Sequence, residues 1–262
     1  MAQNKFSVVI RGEAYQNLIN STLGDKEVAR NFISNIMTAV SSNVELGDCE
    51  PSSILSAGLM AHTLDLPLSQ TLGFCYILPY KITNRQTNEV IKKAQFQVGY
   101  KGLVQLCLRT GQYETIGVRE VHKGEYKGQN EFGEDEFKFS HDFDNNEIVG
   151  YFAYFKLLNG AKKTLYWTKE QCEKHGRKYS KSFNKLWTDS FDTMAMKTVL
   201  KQLISKYGIM STKIENAVRF DQSVIENDKP VYVDNATIEE ETKQVKNVLV
   251  DEESGEVKEV GK

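Results

Sequence analysis

The residue types that do bond chemistry are present in this sequence, but not at the spacings catalysis requires. Four histidines, His62, His122, His141 and His175, stand apart from one another and from the four cysteines, Cys49, Cys75, Cys107 and Cys172. There is no C-x-x-C or H-E-x-x-H pair, so zinc has no sequence signature. The G-x-S-x-G elbow, the Walker A lysine loop and the H-x-E…C-x-x-C deaminase pattern are also missing. Cysteines so widely spaced suit a reduced cytoplasmic protein with ordinary thiols. One acidic cluster remains. Residues 131–147 carry seven acids against one lysine, with Glu134, Asp135 and Glu136 adjacent and Asp142 and Asp144 close by. Such carboxylates suit Mg²⁺, which would make the protein a Mg²⁺-dependent nuclease. Adjacent acids on a loop are seldom preorganised, and the sequence favours a solvated loop.

Positive charge is the stronger signal, although the total conceals it. The 262 residues include 33 Lys plus Arg and 35 Asp plus Glu, a net charge of −2. That value argues against nucleic acid, whose binders carry a basic excess. Residues 1–220 hold 28 bases and 23 acids, and residues 221–262 hold 5 and 12. A basic body therefore precedes an acidic tail. Within the body, residues 81–127 carry nine bases and four acids, and residues 162–213 carry twelve and four. Both are rich in rings, among them Tyr80, Phe96, Tyr100, Tyr113 and Tyr126, then Tyr166, Trp167, Tyr179, Phe183, Trp187 and Tyr207. Cations interleaved with rings suit a single nucleic-acid strand, with charge on phosphates and rings on bases. Cations that merely solvate a surface, over rings that fill a core, are the other open reading. A scaffold protein whose basic face binds acidic partners without DNA is a third class.

The elements that must position these residues follow from periodicity. Val28, Ala29, Phe32, Ile33, Ile36, Met37 and Val40 recur at helical steps over residues 26–42, with Asp25 as the N-cap. A second helix follows Pro51 and ends at Asp65-Leu66-Pro67. Two β-prone runs flank the polar residues 83–89 and predict a long hairpin with Arg85 at its tip and Lys81, Lys92 and Lys93 near its base. On the return strand Ala94, Phe96 and Val98 face one way, Gln95 and Gln97 the other. A short buried helix follows Gly99-Tyr100-Lys101-Gly102 and closes at Gly111. That turn is a weak phosphate cradle, because glycines admit close backbone approach and helix N-terminal amides attract anions. Strands follow over 113–121, 148–158 and 163–167, the last two joined at Asn159-Gly160. Thr168 and Gln171 form a capping box. Residues 186–207 read as the strongest helix, with Phe191, Ala195, Val199, Leu203 and Tyr207 on one face and Thr193, Lys197, Lys201 and Ser205 on another. The tail beyond Phe220 reads as disordered, with one nascent helix near 237–249. The fold class is α+β: a central antiparallel β-sheet and hairpins, flanked by helices at both ends, with a disordered acidic C-terminal tail. No apolar run approaches the ~18 residues of a membrane span, and no signal peptide is expected.

Three blocks then match a known family in order: PSSILSAGLMAHTLDLPLSQTLGFCYILPY, QFQVGYKGLVQLCLRTGQYETI and KLWTDSFDTMAMKTVLKQLISKYG. With them the chain resembles the RecT family of phage single-strand annealing proteins (RecT/Redβ-like), in the form of a Gram-positive prophage member. The match covers about residues 51–208 and leaves the tail outside.

The resemblance implies an ATP-independent recombinase that binds single-stranded DNA and anneals it to a complementary strand through a duplex intermediate. It implies a homo-oligomer, ring or helical filament, with DNA in a basic groove. It also implies action beside a phage exonuclease and the host single-strand-binding protein. On this reading residues 1–220 are the DNA-binding and oligomerising core, and residues 221–262 either dock such a partner or only solubilise the chain. The protein is no enzyme and needs no cofactor, Mg²⁺ being at most a stimulant. Phosphate contacts fall to Lys101, Arg109, Arg119, Lys123, Lys197, Lys201 and Lys206. The DNA-binding set further includes Arg85, Lys92, Lys93, Tyr100, Arg177, Lys178 and Lys185. The hairpin tip would insert between base steps or touch a neighbouring subunit, and Tyr100 and Phe96 are candidate base-facing rings.

Overall fold

A computed structural model describes residues 5–69, 71–83, 90–131, 133, 135–139, 147–180, 183, 187–232, 248–250 and 257–259. The first part is helical: α1 (Lys5–Val9), α2 (Glu13–Leu23), α3 (Lys26–Ser42), a 3₁₀ turn (Val44–Asp48) and α4 (Pro51–Thr63). The Asp25 carboxylate accepts from the amides of Glu27 and Val28 at 2.7 and 2.9 Å, so the N-cap of α3 is the one its sequence predicts. These bonds hold the Asp25 carboxyl below its ordinary pKa. Ala29, Phe32, Ile36 and Val40 are buried on one face of α3. Gly58 lets α4 come close, because a Cβ there would lie 2.5 Å from Ile36 Cδ1. Helices α1 and α2 precede the first periodicity that the sequence displays.

The strands β1 (Cys75–Thr83) and β2 (Val90–Val98) pair antiparallel from Cys75↔Val98 to Thr83↔Val90. The expected turn between them, residues 84–89 with Arg85, lies outside the described residues. Gln95 and Gln97 do point opposite to Ala94, Phe96 and Val98, yet they too are buried. The cause is a segment 127 residues downstream, which runs along β2 (Phe96 N–H to Ser223 O, 3.0 Å; Gln222 N–H to Phe96 O, 2.9 Å). Gln95 Nε2 donates to Gln222 O at 2.6 Å, and Gln97 Nε2 to Gln95 Oε1 at 2.9 Å, so neither buried amide nitrogen lacks an acceptor.

Helix α5 (Tyr100–Leu108) leads through a left-handed Gly111 into β3 (Tyr113–His122). A small hairpin, β4 (Tyr126–Gln129) with β5 (Asp135–Phe137), occupies part of the acidic stretch expected to be a loop. Strands β6 (Ile148–Leu157) and β7 (Lys162–Thr168) complete an antiparallel sheet in the order β3-β6-β7. Gly160, with φ 86°, makes the turn between them. Helix α6 (Lys169–Tyr179) starts at the predicted capping box, in which Gln171 N–H donates to Thr168 Oγ1 and Thr168 N–H to Gln171 Oε1.

The longest late helix, α7 (Phe191–Tyr207), begins after residue 186, where periodicity had placed its start. Trp187 is buried instead on α6, where a Cβ at Gly176 would meet its ring at 2.8 Å. α7 packs across β6 and β7, with Val199, Leu200, Leu203 and Ile204 against Tyr151, Ala153 and Phe155 in one core. Helix α8 (Thr212–Phe220) and a hairpin, β8 (Val224–Glu226) with β9 (Lys229–Val231), follow. The packed body thus continues past Phe220, where the charge balance changes: Asp221, Ser223, Val224 and Ile225 are all buried. Residues 233–247 lie outside the described residues. Val248 and Leu249, expected to end a helix, belong instead to strand β10 (Val248–Val250), which pairs with β11 (Val257–Glu259). The architecture is α+β, with antiparallel hairpins between helical ends.

Candidate nucleic-acid interface

The GYKG turn shows why its glycines are glycines. A Cβ at Gly99 would lie 2.1 Å from Gly73 O, and one at Gly102 would lie 2.1 Å from Phe74 O. The chain entering β1 crosses the first turn of α5 at backbone contact, and Gly99 N–H donates to Phe74 O at 2.9 Å. Close approach is therefore used for packing. What the turn offers outward is the first-turn amides of α5, which have no intrahelical acceptor, and the exposed Lys101. Tyr100 is half-buried against the core and Phe96 wholly buried, which leaves Phe96 no face for a base.

A cleft of about 210 Å³ joins this turn to α7, lined by Gly73, Tyr76, Gly99, Lys101, Met194 and Lys197. A second cavity of about 330 Å³ shares Met194 and Lys197 with the first and runs on past Lys201, His175, Tyr179 and Asp221. Lys197 and Lys201 share a helix face, as their spacing requires, but that face looks onto Asp221. Lys197 Nζ lies 2.7 Å from Asp221 Oδ1, and Lys201 Nζ lies 2.9 Å from Oδ2. Lys197 is 6% exposed and Asp221 2%, whereas the Lys201 side chain keeps 27% of its surface at the cavity mouth. Burial pushes the Lys197 pKa down against the pull of Asp221. Burial alone would raise the Asp221 carboxyl, but two ammonium groups outweigh it and hold the pKa below the ordinary value. The part of the triad that reaches solvent is Lys201. Next to it, burial and then Lys201 and Lys178 depress the His175 pKa, so the imidazole is neutral at pH 7.

The other predicted cations divide by partner. Lys92 pairs with Asp48 at 2.9 Å, and Lys93 with Glu226 at 2.5 Å and Glu50 at 3.4 Å. Lys123 pairs with Glu147 at 2.9 Å, and Arg177 with Glu173 at 2.7 Å. Arg109 Nη1 donates to the carbonyls of Leu64 and Asp65 at 3.4 and 2.9 Å, where it closes the end of α4. Arg119 lies 3.9 Å over the Phe139 ring and 3.7 Å from Glu125. Lys101, Lys178 and Lys206 are exposed and form no ion pair among the described residues. Arg85 and Lys185 lie outside the described residues. The structure thus gathers Lys101, Tyr100, Lys197 and Lys201 along the two cavities, with Lys178 outside their walls but close enough to His175 to act on its pKa. It places Lys92, Lys93, Arg109, Arg119 and Lys123 elsewhere.

Two contributors escaped the sequence reading. Asp221, which sets the state of both α7 lysines, stands 20 or more residues from them, beyond any helical or strand period. Lys163 of β7 lies 5.6 Å over the Tyr207 ring and Lys206 lies 5.1 Å over it, so Tyr207 is an exposed ring between cations rather than part of the apolar face. In the acidic stretch, Tyr126 and Gln129 both donate to Asp135 Oδ1 at 3.2 Å. Among the described residues no group of three or more His, Cys, Asp or Glu is placed to hold a metal ion; Glu134, Asp142 and Asp144 lie outside them. All four cysteines are buried and unpaired, and burial pushes their thiols up, to about 11 for Cys49 and about 12 for the rest. No described helix is long and apolar enough to cross a membrane.

Comparison with known proteins covers the region of the three sequence blocks. A model of the RecT family matches residues 30–247, which extends the similarity beyond residues 51–208 at both ends and into the acidic segment. An uncharacterized protein, YqaK, of Bacillus subtilis is 43% identical over 194 residues, 72% of this chain and 63% of the relative. This chain therefore spans under two thirds of that relative's length. Protein RecT of Escherichia coli is 30% identical over 212 residues, 79% of this chain and 75% of that protein.

Proposed function

The chain belongs to the RecT family, and from that premise we propose that it anneals complementary DNA strands in phage homologous recombination without ATP. In this reading single-stranded DNA lies along the two joined cavities, and copies of the chain assemble into a ring or filament that continues the groove. The observation that carries it is that Met194 and Lys197 line both cavities, one beside the Lys101 turn and the other beside Lys201. Lys101 and Lys201 supply phosphate contacts there, and the exposed Lys178 does so beside them, with Lys206 and Lys163 flanking an exposed tyrosine ring at the end of α7.

Such a surface needs no bond chemistry. Base pairing supplies the drive, at about 1.4 kcal/mol of stacking per step. The protein lowers the kinetic cost by neutralising two anionic strands and holding bases ready to pair. A phage exonuclease that supplies single strands, and the host single-strand-binding protein that coats them, are the partners this role needs, in the bacterial cytoplasm. Purified protein mixed with fluorophore- and quencher-labelled complementary oligonucleotides, ATP omitted, should quench faster than the oligonucleotides alone. Equal rates would refute annealing, and Mg²⁺-dependent strand cleavage in the same mixture would replace it with a nuclease.

A further inference from the structure

The sheet β3-β6-β7 has a second face that the cleft along α7 does not use. Tyr151, Ala153, Phe155 and Leu157 point inward to the core under α7. By alternation Phe152, Tyr154 and Lys156 point the other way. Their cross-strand partners share that outer face: Arg119, Gly117 and Thr115 on β3, and Tyr166, Thr164 and Lys162 on β7. The β4–β5 hairpin covers one half. Phe137 lies 4.5 Å from Phe152 between ring centroids, and Tyr126 stacks on Tyr166 at 4.9 Å with the planes 21° apart. The half toward the β6–β7 turn has Thr115, Lys156, Lys162 and Thr164 exposed.

Two observations there point to a ligand. First, Tyr154 lies over Gly117, since a Cβ at Gly117 would meet its hydroxyl at 2.9 Å and Cζ at 3.0 Å. Tyr166 covers Gly150 in the same way, at 2.5 Å to Cε2. The hydroxyl end of the Tyr154 ring thus rests on the Gly117 backbone, and the residue remains partly exposed, whereas Tyr166 is stacked by Tyr126. Phe152 runs nearly parallel to Tyr154, at 21°. Second, Lys156 and Lys162 stand directly opposite across the ladder. Like charges so placed repel, which the fold does not need. Glu114 neutralises Lys156 at 2.7 Å, while Lys162 forms no ion pair among the described residues. A half-exposed ring beside the unneutralised Lys162 on an open sheet is the chemistry of single-strand recognition.

We propose that this open half-face binds an unpaired DNA segment before it pairs, with a base stacked on Tyr154 and its phosphates on Lys162 and Lys156. The proposal rests on the annealing reading above and adds a base-dependent site on the opposite side of the sheet from α7. It distinguishes unpaired from paired DNA, because bases stacked in a duplex offer no free ring face.

The test uses the full chain and three probes: a labelled oligodeoxythymidylate, an abasic strand of equal length, and an oligonucleotide carrying 5-iododeoxyuridine for photocrosslinking. Tyr154→Ala should weaken thymidylate binding roughly five- to 150-fold. Tyr154→Phe should bind as the parent does, and the abasic strand should bind all three proteins equally. The crosslink should map to Tyr154. If Tyr154→Ala binds thymidylate like the parent, the outer-face site is wrong while annealing stands. If the parent binds no thymidylate at all, the annealing reading fails first. A Tyr154→Ala protein that changes only its assembly size would make this face a contact between copies, which also overturns the proposal.

Discussion

Lys101 and Lys197 line the same cleft and do opposite things. Lys101 stands on the first turn of α5, exposed and without an ion pair among the described residues. Lys197 stands on α7, 6% exposed, its ammonium 2.7 Å from Asp221. Both are lysines in basic stretches, and by composition they are the same signal. The difference lies in solvent and partner. A cation that reaches water can exchange its counterions for DNA phosphates, as Lys201 still can through its exposed part, whereas one itself buried against a carboxylate cannot do so without breaking that pair. Lys92, Lys93 and Lys123 are paired too, with Asp48, Glu226 and Glu147, acids that the sequence does not place beside them, though these pairs lie nearer the surface.

The sharpest way to break this comparison is to remove the carboxylate. Asp221→Ala leaves Lys197 buried and unpaired and should cost about 3–5 kcal/mol of folding stability, read by urea denaturation. Stability close to the parent's would mean that Lys197 reaches water, and the contrast would vanish. Lys197→Ala should cost about 1–3 kcal/mol, because Asp221 keeps Lys201. Lys101→Ala should change stability by less than about 0.5 kcal/mol. DNA binding should reverse the order. Lys101→Ala and Lys201→Ala should each lower the salt slope of single-strand affinity by about 0.7, with Lys197→Ala leaving it unchanged. A lower slope for Lys197→Ala would return that lysine to the groove.

Acid provides a finer test of the same contrast. The Asp221 pKa is held below its ordinary value of 3.8. A depressed carboxyl contributes stability that is complete above the unfolded value and is lost as pH falls through the folded one. The parent should therefore lose this contribution below about pH 4, and Asp221→Asn should show a smaller loss over that window. Equal acid sensitivity in the two proteins would mean that the triad does not contribute.

Much of the scaffold was legible because its signals are local. The Asp25 cap, the Thr168–Gln171 capping box, the Gly160 turn and the β1–β2 hairpin each depend on residues within a few positions or on one alternating pattern. The glycines of the GYKG turn were visible too, but their reason was not. A phosphate and a crossing backbone demand the same missing Cβ, and only the position of Gly73 and Phe74 tells them apart. Residues 187–189 are helical as their period suggests, but the chain turns at Ser190 before α7 begins at Phe191, a break that helical period does not register.

By itself the sequence determined the α+β order, the basic body with its acidic end, and the three blocks that mark the family. These are carried by spacing, composition and order, which need no third dimension. Tertiary structure decided which cations are available, because availability depends on burial and on carboxylates brought in from afar. Asp221 reaches Lys197 across 24 residues and its neighbour Gln222 reaches Gln95 across 127. That one segment turns an apparent phosphate-binding helix face into a buried ion pair, and it leaves the open positive charge to Lys101, Lys201 and the outer face of the sheet.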